Sequence, residues 1–304
     1  MHKSVLLDEC IHYLNLKENS KVVDCTLGYG GHSSEILKRI PSGFLYSFDQ
    51  DEEAIASSKK RLCDIASNFE IIKSNFVNLK EEMSNREERV DGILYDLGVS
   101  SPQLDEEERG FSFHNDARLD MRMDKDNPIS AYEVVNNYSY EQLTNILYKY
   151  GEEKYAGSIV KKIIRTREIK PIETTLELVE IIKTSVPEKY RRDKHPARKT
   201  FQAIRIEVNH ELDVFEDSIK QSLDLINIGG RICVITFHSL EDRICKTIFK
   251  EVSELDPSLR KLPIIPADRE PRFKVIANIS PSDAELEFNK RARSARLRVI
   301  ERVK

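Results

Sequence analysis

The sequence predicts an α/β fold: a doubly wound, mostly parallel sheet interrupted by a helical insertion. Three observations carry this. From Lys21 the chain repeats a strand-then-helix rhythm; from about Leu104 to His210 it turns polar and helix-like; and a buried-strand pattern returns at Arg231–Phe237. Parallel strands buried on both faces read as continuous apolar runs rather than alternating ones.

The expected strands are Lys21–Thr26, Phe44–Asp49, Phe69–Lys73 and Asp91–Leu97, followed after the insertion by Arg231–Phe237. Ser33–Ile40 and Glu53–Ile65 carry apolar residues at helical spacing and supply the first crossovers. Within the insertion, helices are expected over Tyr140–Tyr148, Lys154–Arg167, Thr174–Ser185 and Lys199–Glu211. Gly229-Gly230 reads as a turn before the fifth strand. Apolar runs at Phe273–Ile279 and Leu297–Ile300 would close the sheet as an antiparallel pair. The expected division is 1–106 and 211–304 for the sheet domain and 107–210 for the insertion.

Composition narrows the function classes. The 304 residues hold 48 Lys plus Arg against 52 Asp plus Glu, a net charge of −4, which excludes a protein that coats nucleic acid by bulk charge. A hydrophobic content of 39% is ample for a core and excludes disorder of the whole chain. Five cysteines, with no C-x-x-C pair and no metal-like spacing against the seven histidines, fit a reducing compartment and no metal site. Val5-Leu6-Leu7 is stopped by Asp8 and Glu9, too short for a signal-peptide core, and no run approaches the roughly 18 apolar residues of a membrane span. A cytoplasmic protein with no membrane segment is the expectation.

The segment Val22-Val23-Asp24-Cys25-Thr26-Leu27-Gly28-Tyr29-Gly30-Gly31-His32 places a glycine-rich turn between a strand and a helix, where a ligand can approach the backbone. Asp49 ends the next strand, 21 residues after Gly28, where a carboxylate can accept hydrogen bonds from both ribose hydroxyls of an adenosine. The dinucleotide pattern G-x-G-x-x-G requires glycine at position 33; that residue is Ser33, which disfavours NAD and a dinucleotide-dependent oxidoreductase. S-adenosylmethionine has no pyrophosphate and tolerates a looser glycine pattern. The same turn would also serve an ordinary strand–helix connection.

Asp91–Leu97 runs into Gly98-Val99-Ser100-Ser101-Pro102-Gln103, so Asp96 lies at the carboxyl end of a strand, where ligands bind in such sheets. A carboxylate there could orient the exocyclic amine of cytosine or adenine for in-line displacement at a sulfonium methyl, or it could cap a turn. His238, Ser239 and Asp242 follow the fifth strand on the same rim. Ser239-Leu240-Glu241-Asp242 equally fits a helix cap.

With these residues in place, the chain resembles the bacterial 16S ribosomal RNA cytosine-N4 methyltransferase family, called RsmH or MraW. The resemblance rests on DCTLGYGGHS (Asp24 to Ser33), FDQD (Phe48 to Asp51), DLGVSSPQLD (Asp96 to Asp105), RGFSF (Arg109 to Phe113), LDMRMD (Leu119 to Asp124), HPARKTFQAIRIEVN (His195 to Asn209) and TFHSLEDR (Thr236 to Arg243), and it spans essentially the whole chain. It implies a class I, Rossmann-like methyltransferase sheet with a substrate-recognising helical insertion between the fourth and fifth strands. It also implies S-adenosylmethionine as donor and N4-methylation of a cytidine in the decoding region of 16S rRNA within the small ribosomal subunit.

Carried over residue by residue, the family's cofactor contacts fall on Gly30, Gly31, His32, Asp49, Phe76, Asp96 and Gln103. Asp96 and His238 are the candidate catalytic residues. Departures from the family pattern are Ser4 and Arg118 where prolines are usual, Cys25 where a glycine is usual, and Arg198-Lys199 in place of Thr-Arg; none falls on a cofactor position.

A near-neutral chain that holds RNA must concentrate its positive charge. Two segments do so: Lys189–Lys199 (KYRRDKHPARK) and Lys290–Lys304. Phe111 and Phe113 could receive a base or anchor the insertion. The competing readings are an amino-methyltransferase acting on DNA or a small molecule, and a noncatalytic rRNA-binding assembly factor.

Overall fold

The structure is a computed structural model of the chain, and it describes residues 4–86, 88–99, 106–193, 195–256, 258–259, 266 and 269–304. It divides into two compact units, Met1–Gly98 with Leu212–Lys304, and Val99–Glu211. The second unit therefore begins eight residues before the position expected from sequence, directly after the fourth strand.

The first unit is a seven-stranded sheet in the order β3-β2-β1-β4-β5-β7-β6. The strands are β1 (Lys21–Asp24), β2 (Phe44–Asp49), β3 (Phe69–Lys73), β4 (Val90–Asp96), β5 (Ile226–Thr236), β6 (Phe273–Ile279) and β7 (Arg296–Arg302). The first five run parallel, and β7 lies antiparallel between β5 and β6. Strand order reverses between β1 and β4, and in open sheets of this kind the crevice outside that switch point receives the ligand.

Helices α1 (Leu7–Leu14), α2 (Gly31–Leu37), α3 (Glu52–Cys63) and α4 (Leu79–Ser84) accompany the first half of the sheet. Two apolar layers result. One holds Val23, Phe48, Ile93, Tyr95 and Phe215; the other holds Leu6, Val22, Ile36, Leu45, Leu94 and Ile235. Neighbouring strand residues such as Val22 and Val23 fall in opposite layers, as the period of two along a strand requires.

β5 begins at Ile226, five residues before the expected start. Its register against β4 jumps from Val90↔Ile226 to Gly92↔Arg231, so Gly229-Gly230 lies in a bulge inside the strand instead of a turn before it. A side chain on Gly230 would meet the Asp91 carbonyl at 2.8 Å.

The second unit is built from α5 (Ala131–Asn137), α6 (Tyr140–Lys149), α7 (Ala156–Arg167), α8 (Thr175–Ser185), α9 (Glu188–Asp193) and α10 (Ala197–Asn209). Its helix starts are chemically specified: Ser130 with Glu133, Ser139 with Gln142 and Thr174 with Glu177 each form a reciprocal capping box. Returning to the first unit, α11 (Glu211–Leu225, whose first residue ends the second unit) leads into β5, α12 (Ser239–Ser253) follows it, and α13 (Asp283–Phe288) precedes β7. Among the described residues no helix is long and apolar enough to cross a membrane.

Candidate active site

The carboxyl ends of β1, β2, β4 and β5 form one rim, knit together beyond the strands by Cys25 N–H to the Leu94 carbonyl (2.9 Å), Leu27 N–H to the Phe48 carbonyl (2.9 Å) and Leu97 N–H to the Ile235 carbonyl (3.1 Å). Four acidic side chains converge on this rim: Asp24, Asp49, Asp96 and Glu241. Each is held differently, and the difference sets its chemistry.

Asp24, at the end of β1, is buried and fully engaged. It accepts from Ser33 Oγ at 2.7 Å, Thr26 N–H at 3.1 Å and Thr26 Oγ at 3.4 Å, and Ser33 Oγ in turn lies 3.0 Å from Ser47 Oγ. Burial raises its pKa and these donors oppose the rise. Ser33 is thus not merely a missing glycine: it ties the N-terminus of α2 to the strand beneath it. Sequence reasoning did not single out Asp24, although it begins the DCTLGYGGHS string.

The glycine-rich turn between β1 and α2 requires glycine at Gly30. Gly30 caps α2 in the left-handed region at φ 74°, where a β-carbon is costly, and a side chain there would meet Ser58 at 3.3 Å. At Gly31 a β-carbon would fall 1.9 Å from Ser4 Oγ, the end of a side chain that can rotate away, so the requirement for glycine is set at Gly30 by its dihedral angles.

Asp49 ends β2 and fastens this turn. Its Oδ2 accepts Gly28 N–H at 2.8 Å and its Oδ1 accepts Asp51 N–H at 2.9 Å. A carboxylate offers about four acceptor sites, so capacity remains for a ligand hydroxyl. Burial pushes its pKa up to about 6, with backbone donors from Asp51, Gly28 and Gln50 opposing. On the next loop Phe76 is half-buried and packs edge-on against Tyr95, centroids 5.8 Å apart, and Tyr95 is itself hydrogen-bonded to Ser218 at 2.8 Å.

Asp96 ends β4. Its backbone N–H donates to Thr26 Oγ at 2.7 Å, locking it to the β1 turn, and its Oδ2 lies 3.4 Å from Nδ1 of the buried His32. Its Oδ1 is buried without a hydrogen-bond partner. Burial, then the charges of Asp24 and Glu241, push the Asp96 pKa up to about 8; burial pulls His32 down to about 4, opposed by a hydrogen bond to the Val5 backbone. Near pH 7 both groups are therefore mainly uncharged. A cation brought to Asp96 would restore the carboxylate, and an unpartnered buried oxygen is a place for one.

His238 follows β5 on the rim, where it has a structural task. It caps α12: its Nδ1 accepts Glu241 N–H at 3.4 Å, while Glu241 accepts the backbone N–H of Phe237 (2.7 Å) and of His238 (3.2 Å). The His238 Nε2 atom faces Glu241 Oε1 at 3.0 Å. The helix thus starts one residue earlier than the Ser239-x-x-Asp242 pattern suggests, with imidazole as the cap. Asp242 is instead paired with Arg298 of β7 through two bonds of 2.7 and 2.9 Å. Gln103 lies outside the described residues. Among the described residues no cluster of His, Cys, Asp or Glu could hold a metal ion.

The rim therefore brings together the glycine-rich turn, the Asp49 carboxyl group, the Phe76 ring and Asp96 with its unpartnered Oδ1, at the carboxyl ends of the parallel strands. These features fit an adenosyl sulfonium better than a dinucleotide, since Ser33 stands where the third glycine would be. A family model described as the MraW methylase family matches residues 1–303. The chain belongs to the MraW methylase family. The match covers the glycine-rich turn, the rim and the helical unit alike, and it makes this chain a methylase built on a doubly wound α/β sheet.

Among relatives of this MraW methylase, the protein named "Ribosomal RNA small subunit methyltransferase H" of Exiguobacterium sibiricum is 55% identical over 307 residues, covering 100% of this chain and 98% of the relative. One of the same name from Finegoldia magna is 52% identical, covering 99% and 98%. A solved structure entitled an rRNA methylase from Streptococcus thermophilus aligns at 14% identity with a TM-score of 0.44, covering 100% of this chain and 99% of that one.

Proposed function

We propose that this MraW methylase transfers the methyl group of S-adenosylmethionine to the exocyclic N4 of a cytidine in the decoding region of 16S rRNA, within the small ribosomal subunit. The names of its relatives support the rRNA substrate, and the observation that carries the site is Asp96: a half-buried carboxyl group whose Oδ1 is buried without a hydrogen-bond partner, on the rim beside the glycine-rich turn and Asp49. Such a substrate places the enzyme in the cytoplasm, where ribosomes are assembled.

The residues assigned to the cofactor are Gly30, Gly31, His32, Asp49, Phe76, Asp96 and Gln103. When bound, the cofactor supplies an electrophilic methyl group on a positively charged sulfur. Asp49 accepts the ribose hydroxyls through the acceptor capacity that its backbone donors leave open. Phe76 packs on the adenine, its ring orientation set by Tyr95. Asp96 would hold the positive charge electrostatically as a carboxylate. His32 fills the floor behind Asp96 as a neutral ring.

No residue here has to abstract a proton before methyl transfer, because an amine that has gained a methyl and a positive charge on an electron-poor ring is a strong acid. Alignment and charge placement supply the rate enhancement. His238 is assigned a positioning role: as the cap of α12 it holds the rim beside Asp96 in place.

RNA contacts are assigned to the exposed charges of the two basic segments. In the helical unit Arg191, Arg192 and Arg198 are exposed. In the C-terminal segment Lys290, Arg291 and Arg293 are exposed, whereas Arg298 is committed to Asp242 and Arg302 to backbone carbonyls of Ile226 and Lys304. The deciding experiment is transfer from labelled S-adenosylmethionine to small subunits lacking the modification, followed by nucleoside digestion and mass spectrometry. Label in N4-methylcytidine, lost in Asp49→Ala, is the expected result. Label in another nucleoside removes the target, and rRNA binding without label points to an assembly factor.

A further inference from the structure

The helical unit carries a ring cluster with no part in the methyl-transfer site. Phe113, from the RGFSF string, and His195, at the start of α10, stack with centroids 4.5 Å apart and planes 17° from parallel. Phe201 meets Phe113 edge-on at 5.7 Å from the buried side, and His114 leans on both Phe113 (4.5 Å) and His195 (5.4 Å). Burial falls along this cluster from the buried Phe201 through the half-buried Phe113 and His195 to the exposed His114. The stack thus begins in the core and ends at the surface in imidazoles.

Two details separate this cluster from ordinary packing. First, His195 is pinned: its Nδ1 accepts Ala197 N–H at 3.3 Å, so the ring proton of the neutral imidazole resides on Nε2. Burial, then His114 and Lys183, lower the His195 pKa, so the ring stays neutral and able to stack near pH 7. Second, Lys183 lies close enough to act on the His195 ring, and exposed arginines stand near it along the chain. Arg198 is one turn along α10, Arg191 and Arg192 lie on α9, and all three are exposed. A π-faced cluster with a lysine beside it and exposed arginines on its own and the preceding helix matches single-stranded RNA, in which bases are free to stack and the phosphates beside them carry charge.

From this juxtaposition we infer that Phe113, His114 and His195 form a stacking platform for an unpaired base of the RNA, with Arg198 contacting an adjacent phosphate. The inference rests on the proposed RNA substrate and names the surface that grips it. Binding is sequence-tolerant, because every base offers a π face, and it discriminates against a duplex, whose bases are already stacked.

The test uses the full-length enzyme and a short single-stranded oligoribonucleotide carrying one 2-aminopurine, with the same strand in a duplex as control. Wild type is expected to quench the fluorophore and to bind the single strand at least tenfold more tightly than the duplex. His114→Ala with His195→Ala should raise the single-strand Kd roughly tenfold, about the loss of one base stack, and abolish quenching. Phe in place of both histidines (H114F/H195F) should retain quenching, which a fold defect would not allow.

His114→Ala alone serves as the second variant, since its exposed side chain can be removed without opening the core. Kd and quenching unchanged in the double alanine variant would overturn the platform, as would binding that responds only to salt. With small subunits as substrate, the same variants should raise KM with kcat nearly unchanged. Wild type that binds the oligonucleotide through these rings yet methylates no rRNA would defeat the proposed function and leave the platform standing.

Discussion

Asp96 Oδ2 lies 3.4 Å from His32 Nδ1, yet the two form no ion pair near neutral pH, because burial raises the acid to about 8 and lowers the imidazole to about 4. Proximity here joins two neutral groups. The site is poised to gain a negative charge when a cation arrives, and this couples ligand charge to proton release.

The first prediction follows from that coupling. Below about pH 8 the free enzyme must give up the Asp96 proton to bind S-adenosylmethionine, so affinity should rise with pH up to that point, by as much as tenfold per unit, and then level off. S-adenosylhomocysteine lacks the sulfonium charge. Its affinity should follow Asp49 near pH 6 but not Asp96 near pH 8. Calorimetric titration of both ligands from pH 6 to 9, in buffers of different ionisation enthalpy, measures the ratio and the protons released. A ratio that does not change with pH would refute the assignment of Asp96 to the sulfonium.

Stability should respond with the opposite sign. Because the folded pKa of Asp96 stands above the unfolded value of 3.8, the unfolded chain releases this proton first. Stability is therefore lost as pH rises from about 4 to about 8. Asp96→Asn removes that penalty and should raise Tm by roughly 2–4 °C at pH 8, with little change at pH 4, while weakening cofactor binding. Thermal unfolding of the two proteins across this range tests the sign directly.

Asp49 joins two loops and offers acceptor capacity to a ligand, so its removal costs both. Asp49→Ala leaves Gly28 N–H and Asp51 N–H without their acceptor and deletes the ribose contact. Cofactor Kd is expected to rise about a hundredfold or more, the loss of two charge-assisted hydrogen bonds at 1.5–3 kcal/mol each. Asp49→Asn, which keeps one acceptor oxygen, should fall between. Equilibrium dialysis with labelled cofactor provides the measurement.

Much of this architecture was readable from the chain. The boundaries of Phe44–Asp49, Phe69–Lys73 and Phe273–Ile279 match the expected strands, because apolar runs between polar breaks leave little choice of register. β5 was harder: Gly229-Gly230 signals a break in any local reading, and only the register against β4 reveals a bulge. Helices Leu7–Leu14, Ala131–Asn137 and Glu211–Leu225 were not anticipated. Ser130 with Glu133 was a readable start signal for the second of them. At the site, Asp49 and Asp96 stood out by their positions at strand ends. The roles of Asp24 and Glu241 depend on partners from elsewhere in the chain and on burial, neither of which local sequence carries.

His238 offers a way to separate a cap from a chemical group. Its Nδ1 satisfies the Glu241 N–H at the start of α12. His238→Ala should lose about 1 kcal/mol of stability, and His238→Ser, a good cap, should recover most of it. If positioning is its whole contribution, kcat recovers with stability in the Ser variant. A Ser variant as stable as wild type but as slow as Ala would instead give the imidazole a direct role.

The last prediction concerns two strings that are far apart in sequence and meet in the helical unit. Asn209, the final residue of HPARKTFQAIRIEVN, accepts Met123 N–H at 2.8 Å through Oδ1 and donates through Nδ2 to the Met121 carbonyl at 2.8 Å and to the Arg205 carbonyl at 2.9 Å. Met121 sits at φ 60°, a left-handed conformation unfavourable to a residue with a side chain, and it is buried. The amide of Asn209 thus holds the LDMRMD turn in a strained backbone state against the end of α10. Asn209→Asp keeps the acceptor but removes both donated bonds and places a charge opposite two carbonyls. It should destabilise the helical unit by about 2–4 kcal/mol, more than Asn209→Ala, which only deletes the bonds. Hydrogen exchange at the amides of residues 119–124 is the readout: both variants should lose protection there, Asp more than Ala. Equal protection in all three proteins would show that the turn is held by its own packing.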